Sequence, residues 1–231
     1  VFVPSKAVAL SGTAAVLVSA LDGTVTDAAG DKIEGNVTIS NTPTEAQLKT
    51  INDATNASIQ IPAANQTFTG TAAVLAAALT GTVTGPLAAA LSGAVSVSDG
   101  AGESVAATLL STIATGTSGT VTVGAAINIT GTADQVVAAL DTNGVVASTA
   151  TITLDDTPTV TELQTLNGKT SGAIKIANGA ITYSANADVL AAALDGTVTD
   201  GAGNSLTGNM TIAAAGGNPN ATQLQTCLLY T

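Results

Sequence analysis

Four times the chain returns to one local pattern, at a spacing that constrains the fold more than any single residue does. Ser11-Gly12-Thr13-Ala14-Ala15-Val16-Leu17 recurs as Thr69-Gly70-Thr71-Ala72-Ala73-Val74-Leu75 and as Thr130-Gly131-Thr132-Ala133-Asp134-Gln135-Val136. A fourth copy reads Ser184-Ala185-Asn186-Ala187-Asp188-Val189-Leu190. Gly12, Gly70 and Gly131 lie 58 and 61 residues apart. A fixed period of this size is the signature of a repeat array, in which each unit buries part of its core against its neighbours.

The third copy gives the unit most plainly. Ile127-Asn128-Ile129-Thr130 alternates apolar and polar residues as a half-buried strand does. Gly131 ends it, Thr132 is an N-cap, and Gln135 three residues on completes a capping box for a short helix carrying Val136, Val137 and Leu140. A second strand follows at Ala150 to Leu154, with Ile152 and Leu154 on one face. Thr157-Pro158-Thr159 then precedes Glu162, as Thr42-Pro43-Thr44 precedes Gln47 and Asn218-Pro219-Asn220 precedes Gln223. Proline favours an extended residue before it, and the Thr or Asn with Glu or Gln three later starts a second helix. A turn at Thr170-Ser171-Gly172 leads to a third strand, Ala173 to Ile176.

The expected fold is therefore α/β, a tandem array of strand-helix-strand-helix-strand units with short helices. Residues 1–67 form repeat 1, 68–126 repeat 2, 127–179 repeat 3 and 180–226 a partial repeat 4. The linkers Pro62-Ala63-Ala64-Asn65, Gly124-Ala125-Ala126 and Ala177-Asn178-Gly179 have the length of β-hairpin connections. In the second copy, Asp99-Gly100-Ala101-Gly102-Glu103 replaces the proline-led cap, so its second helix is expected to start differently.

Composition narrows the chemistry. The 231 residues are 45% hydrophobic but only 9% charged, with a net charge of −11, and all the cations are lysine. Without arginine there is no planar fork for phosphate or carboxylate, and an acidic surface repels nucleic acid. Without histidine, Ser–His and Cys–His nucleophile pairs cannot form within the chain. The lone Cys227 cannot make an internal disulfide or a zinc site. Apolar runs such as Ala72 to Leu79 are too short to span a bilayer, so no membrane insertion is expected.

The best chemical candidates are two acidic loops, Asp22 to Asp31 and Asp195 to Asn204. Asp22, Asp27, Asp31, Asp195, Asp200 and Asn204 are candidate calcium ligands, because calcium takes six to eight oxygens from flexible loops. The same residues are the usual choice for tight turns, and their spacing matches neither an EF-hand nor the calcium-binding nonapeptide. Asp155-Asp156 precedes a helix start, where it opposes the helix dipole and implies nothing catalytic. Asn36, Asn56, Asn65, Asn128, Asn209 and Asn220 each open an Asn-X-Ser/Thr triplet, which a threonine-rich chain produces by chance. Thr-X-Thr patterns such as Thr120-Val121-Thr122 have the form of ice-binding ladders. They also alternate as any strand does, and no long flat threonine array is evident at a β-helical period.

The fourth copy follows the third through Ala221-Thr222-Gln223-Leu224-Gln225-Thr226 and then breaks register. Cys227-Leu228-Leu229-Tyr230-Thr231 matches the translation of a transposase-based sequencing adaptor, TGT CTC TTA TAC AC. Residues 227–231 are accordingly read as a library artefact closing a translated fragment. A head-to-tail polymer, with Val1-Phe2-Val3 of the next subunit supplying the missing strand, is the alternative.

With the Thr-Gly-Thr-Ala-Ala helix start and the Thr-Pro-Thr-x-x-Glu/Gln-Leu cap alternating, the chain resembles repeats of giant secreted and cell-surface proteins of marine bacteria. Large surface proteins of open-ocean cyanobacteria, some associated with swimming motility, are nearest in style. The resemblance implies an extracellular or cell-surface, non-enzymatic stalk or adhesive array, often with calcium. Its partners would be neighbouring repeats of the same chain and a cell-surface or glycan ligand. A fibre or decoration protein of a marine phage virion is the alternative reading.

Overall fold

Parallel strands need a crossover of a dozen or more residues between them, and the short helices of this chain supply it. In the computed structural model the described residues are 2–3, 7–21, 25–27, 29–213 and 219–228. In chain order they form β1 (Phe2–Val3), β2 (Leu10–Gly12), α1 (Ala14–Leu21), β3 (Thr26–Asp27), β4 (Val37–Ile39), α2 (Glu45–Ala54), β5 (Ile59–Gln60), β6 (Phe68–Gly70), α3 (Ala72–Leu79) and β7 (Val83–Thr84). Then come β8 (Val95–Val97), β9 (Ser104–Ala106), α4 (Ala107–Thr115), β10 (Val121–Val123), β11 (Asn128–Gly131), α5 (Ala133–Val137), β12 (Thr151–Leu154), α6 (Val160–Asn167) and β13 (Ile174–Ile176). The last are β14 (Tyr183–Ala185), α7 (Ala187–Leu194), β15 (Val198–Asp200), β16 (Met210–Ile212) and α8 (Ala221–Leu228). The protein is α/β, and its named strand pairs are parallel.

Two compact units divide the chain. The first comprises residues 1–98 and 112–122. Within it, one sheet has the order β2-β4-β5-β7, with partners such as Leu10↔Val37, Val37↔Ile59 and Ile59↔Val83. Each pass through a helix thus brings the chain back beside its previous strand after 22 to 27 residues. Val37, Ile39, Ile59 and Ile61 are buried and, like Leu48 and Ile51 of α2, at most 2% exposed. A second sheet, β6-β8-β10, buries Phe68, Val95 and Val121 the same way.

The second unit comprises residues 99–111 and 123–231. Its main sheet has the order β9-β11-β12-β13-β15, and Ile129, Ile152, Ile174 and Val198 lie side by side across it, buried. Such aligned β-branched residues fill a parallel sheet's covered face well. Residues 127–179 carry the expected order β11-α5-β12-α6-β13, and α5 runs on as a π-helical turn through Thr142. The capping boxes form as the sequence dictates at Thr44–Gln47, Thr132–Gln135 and Thr159–Glu162. Asn220 and Gln223 exchange the same pair of bonds.

The linkers are not hairpins. β5 and β6, β10 and β11, and β13 and β14 lie in different sheets. Around the first linker both strands already have parallel neighbours: Ile61 N donates to Thr84 O (2.8 Å) and Phe68 N to Ala94 O (3.1 Å). With those bonds made, the linker can only turn a corner. The second copy does start its helix differently. Gly100 N donates to the Glu103 carboxylate (2.7 Å), Gly102 adopts φ +78°, and the chain passes through β9 directly into α4.

The recurring glycine ahead of β4, β8 and β16 has a packing cause. A Cβ on Gly35, Gly93 or Gly208 would lie 2.1, 1.7 or 1.8 Å from the carbonyl oxygen of Val8, Gln66 or Ile181. Only glycine permits that backbone approach.

Candidate functional site

The acidic loops were the leading chemical candidates. Asp200 ends β15, and its carboxylate accepts from Ala202 N (2.9 Å), Asn204 N (2.7 Å) and Asn204 Nδ2 (3.0 Å). The backbone closes the same turn, Asp200 N to Asn204 O at 2.9 Å. The Asn204 side-chain bond, with those backbone donors, holds the Asp200 carboxyl below its usual range. The structure thus brings Asp200 and Asn204 together as a self-satisfied turn, Gly203 at φ +86° completing it. Asp195 follows α7 and borders a different cleft of about 270 Å³, with Asn167 and Thr170. Asp31 is exposed beside Gly30 (φ +90°); Asp22 and the Asp27 side chain lie outside the described residues. Among the described residues no group of three or more acidic, Cys or His side chains could hold a metal ion.

Asp156 does oppose a helix dipole, but not that of the helix it precedes. Its Oδ1 accepts from Ala133 N (2.8 Å), the first residue of α5, while Thr159 caps α6. Asn41 holds the equivalent place two residues before its proline and accepts from Ala14 N at the start of α1 (2.7 Å). A free N–H at a helix start is thus satisfied by a residue 23 or 27 positions later.

A second carboxyl relationship joins α5 and α6. Asp134 hydrogen-bonds Glu162, which raises the Asp134 carboxyl, aided by repulsion from Glu162 and Asp156. For Glu162, burial pushes upward, but bonds from the Thr159 hydroxyl and N–H and from Asp134 outweigh it and leave the group lowered. Glu162 is already spent as the capping-box acceptor, at 2.7 Å from Thr159 N. Below it the buried Tyr183 hydroxyl donates to Pro158 O (2.9 Å); burial, with the Glu162 charge, pushes the phenol up to about 12. The pair and the phenol are tied to structural partners.

At the other helix ends an asparagine does the corresponding work. Asn52 of α2 donates to Ala77 O and Thr80 O at the end of α3 (2.8 and 2.7 Å). Asn167 of α6 donates to Ala192 O (3.0 Å) and to the Asp195 carbonyl at the end of α7. Nothing in the sequence pattern marks these residues; only their equivalent places, four after Leu48 and Leu163, link them.

In the first unit, clefts lie beside the end of α3. One of about 430 Å³ is bordered by Val83, Ala90, Leu91 and Thr117, and none of its lining residues is titratable. Another, of about 390 Å³, holds Lys32, Asp53 and Thr55. The Lys32 ammonium donates to Asp53 O (2.7 Å) and the Asp53 carboxylate pairs with Lys49, so the charges are mutually engaged. No protein family, curated protein or solved structure matches the chain. Cys227 is buried on α8, its thiol raised by burial; Leu229 to Thr231 lie outside the described residues. No described helix is long and apolar enough to cross a membrane.

Proposed function

We propose that the chain is a non-catalytic segment of an extracellular or cell-surface protein, a tandem array acting as a stalk, spacer or adhesive surface. The observation that carries this reading is how the polar side chains are used. Residues equivalent under the sequence repeat make equivalent bonds from one strand–helix pass to the next: Asn52 with Asn167, and Asn41 with Asp156. Carboxylates that could have served as acid and base are bound as caps and turn acceptors instead. Such nearest-neighbour bonding suits a molecule that grows by adding units and resists extension. The lack of histidine and arginine supports the same reading.

An antibody raised against the chain tests the location. Labelling of intact, unpermeabilised source cells is expected. Labelling that requires permeabilisation overturns the reading, and labelling of virions in place of cells assigns the chain to a phage particle.

A further inference from the structure

We propose that Asn178 is a modification site, where the side-chain amide is lost through a ring closed by the Gly179 nitrogen. The inference goes beyond the proposed function and does not depend on where the protein resides. An asparagine followed by glycine is the pair most open to this chemistry, because glycine has no Cβ to hinder its own nitrogen. The chain holds three such pairs, Asn143-Gly144, Asn167-Gly168 and Asn178-Gly179. The fold treats them differently.

Two are held back. Asn167 commits its amide to Ala192 O and the Asp195 carbonyl, and Gly168 N donates to Gln164 O (3.1 Å), so leaving group and nucleophile are both engaged. Asn143 ends the π-helical turn at φ −91° and ψ −6°. At that ψ the Gly144 nitrogen nearly eclipses the Asn143 nitrogen and is turned away from the Asn143 side chain. Bonds from Asn143 N to Ala138 O (2.9 Å) and from Val145 N to Ala139 O (3.1 Å) hold the backbone there.

The third is poised to react. Asn178 is exposed in the linker between β13 and β14. Among the described residues, nothing accepts from its amide or from Gly179 N. Its Oδ1 accepts from Ala180 N (3.2 Å). A bond to the residue two ahead folds the side chain over the intervening peptide and brings Cγ toward Gly179 N. The Ala180 N–H also faces the oxygen that gains negative charge as that nitrogen attacks. Gly179 N gives up its proton and bonds to Cγ; the Cγ–Nδ2 bond breaks, and ammonia leaves with the proton. Water then opens the five-membered imide. Attack at Cγ gives aspartate, and attack at the Asn178 main-chain carbonyl gives an isoaspartyl link.

Packing accounts for the glycine. A Cβ on Gly179 would lie 2.6 Å from Asp200 Cβ, and one on Gly85 would lie 2.4 Å from Ala64 Cβ. Ala64 matches Gly179 and Gly85 matches Asp200 at one common offset along the chain. This crossing therefore admits a single Cβ, and in the second unit Asp200 holds it. The isoaspartyl product adds a methylene to the backbone between two strand bonds, Ala177 N to Leu154 O (3.0 Å) and Thr207 N to Gly179 O (2.7 Å).

The test follows the whole chain through weeks in warm, mildly alkaline buffer. Mass spectrometry with electron-transfer fragmentation places each gain of about 1 Da and separates aspartyl from isoaspartyl products. In the folded protein Asn178 is expected to convert at least about tenfold faster than Asn143 and Asn167, an advantage that disappears in urea, where local geometry is erased. Gly179→Ala combined with Asp200→Gly rebuilds the Ala64–Gly85 arrangement and is expected to slow conversion about tenfold with an unchanged circular dichroism spectrum. Equal rates at the three sites of the folded wild-type overturn the proposal, as does conversion of Asn143 or Asn167 ahead of Asn178. Undiminished conversion in the folded double variant also overturns it. The wild-type rates decide the matter even where the double variant does not fold.

Discussion

Asn52 belongs to α2, yet its side chain completes the end of α3 by donating to the Thr80 carbonyl at 2.7 Å and the Ala77 carbonyl at 2.8 Å. The last carbonyls of a helix have no partner within it, and one amide here serves two of them. Asn52→Ala and Asn167→Ala are each expected to cost about 1–2 kcal/mol, two modest bonds at a half-buried site. Asn52→Asp should cost more, because a carboxylate cannot donate and faces the negative end of the helix. Urea-unfolding midpoints read this directly; unchanged midpoints in all three variants would discount the contacts.

Three threonines occupy equivalent buried turns, and the hydroxyls of two of them make a pair of bonds that the third lacks. Thr117 donates to Gly93 O (2.9 Å) and accepts from Gly119 N (3.0 Å); Thr170 donates to Ala150 O and accepts from Gly172 N (3.0 Å). Thr55, only 5% exposed, has no partner for its hydroxyl. Thr117→Val and Thr170→Val should therefore lose about 1–3 kcal/mol, while Thr55→Val should be neutral or stabilising. Thermal unfolding of the three variants gives the order. Equal losses at all three sites would refute it.

The elements were legible where the cause is local. Thr159 and Glu162, or Thr44 and Gln47, specify a helix start by their own reciprocal bonds, and Ile152 with Leu154 specify a strand by alternation. What escaped the sequence was everything carried across one pass of the chain. Short linkers suggest hairpins, but whether Ile61 bonds Thr84 is decided by residues 23 positions away. Asp156 likewise looked like a partner for its own helix and serves Ala133 instead. The Gly35 and Gly93 positions recur visibly, but their reason, a carbonyl from the preceding pass, does not.

The Asp200 turn makes two expectations. Its carboxyl is lowered in the fold, so its contribution to stability is complete above the unfolded value near 3.8 and is lost as pH falls through the folded one. Asp200→Ala should flatten that acid limb of the stability profile. Because the Ala202 and Asn204 donors to its carboxylate come from the turn itself, the melting temperature should be the same in chelator and in calcium. A calcium-dependent rise that Asp200→Ala abolishes would make the loop a metal site.

Ala88 takes the place that Gly203 fills in the equivalent turn. Gly85 N bonds Ala89 O (2.8 Å) as Asp200 N bonds Asn204 O (2.9 Å), and Ala88 sits at φ +58° where Gly203 sits at +86°. A side chain in the left-handed region costs roughly 1–2 kcal/mol, partly offset by the greater entropy glycine loses on folding. Ala88→Gly is expected to stabilise the first unit by about 0.5–1 kcal/mol. Denaturant midpoints decide it, and a loss of stability would show that the turn relaxes without strain.

Tyr183 makes the stability of the second unit depend on alkaline pH. Its phenol, buried and bonded to Pro158 O at 2.9 Å, is raised from 10.0 to about 12 by burial and the nearby Glu162 charge. The folded state thus favours the protonated phenol more than the unfolded chain does. That contribution is fully present below pH 10, the unfolded value, and is lost as pH rises from there toward about 12. Tyr183→Phe should cost about 1 kcal/mol at neutral pH, where the Pro158 carbonyl loses its donor. Above pH 10 the gap between variant and wild-type should close, because only the wild-type must take up a proton on its phenolate to fold. Stability measured across this range in both proteins, with an ultraviolet titration of the phenol, checks the sign. A gap that stays constant with pH would mean that Tyr183 ionises as freely in the fold as outside it.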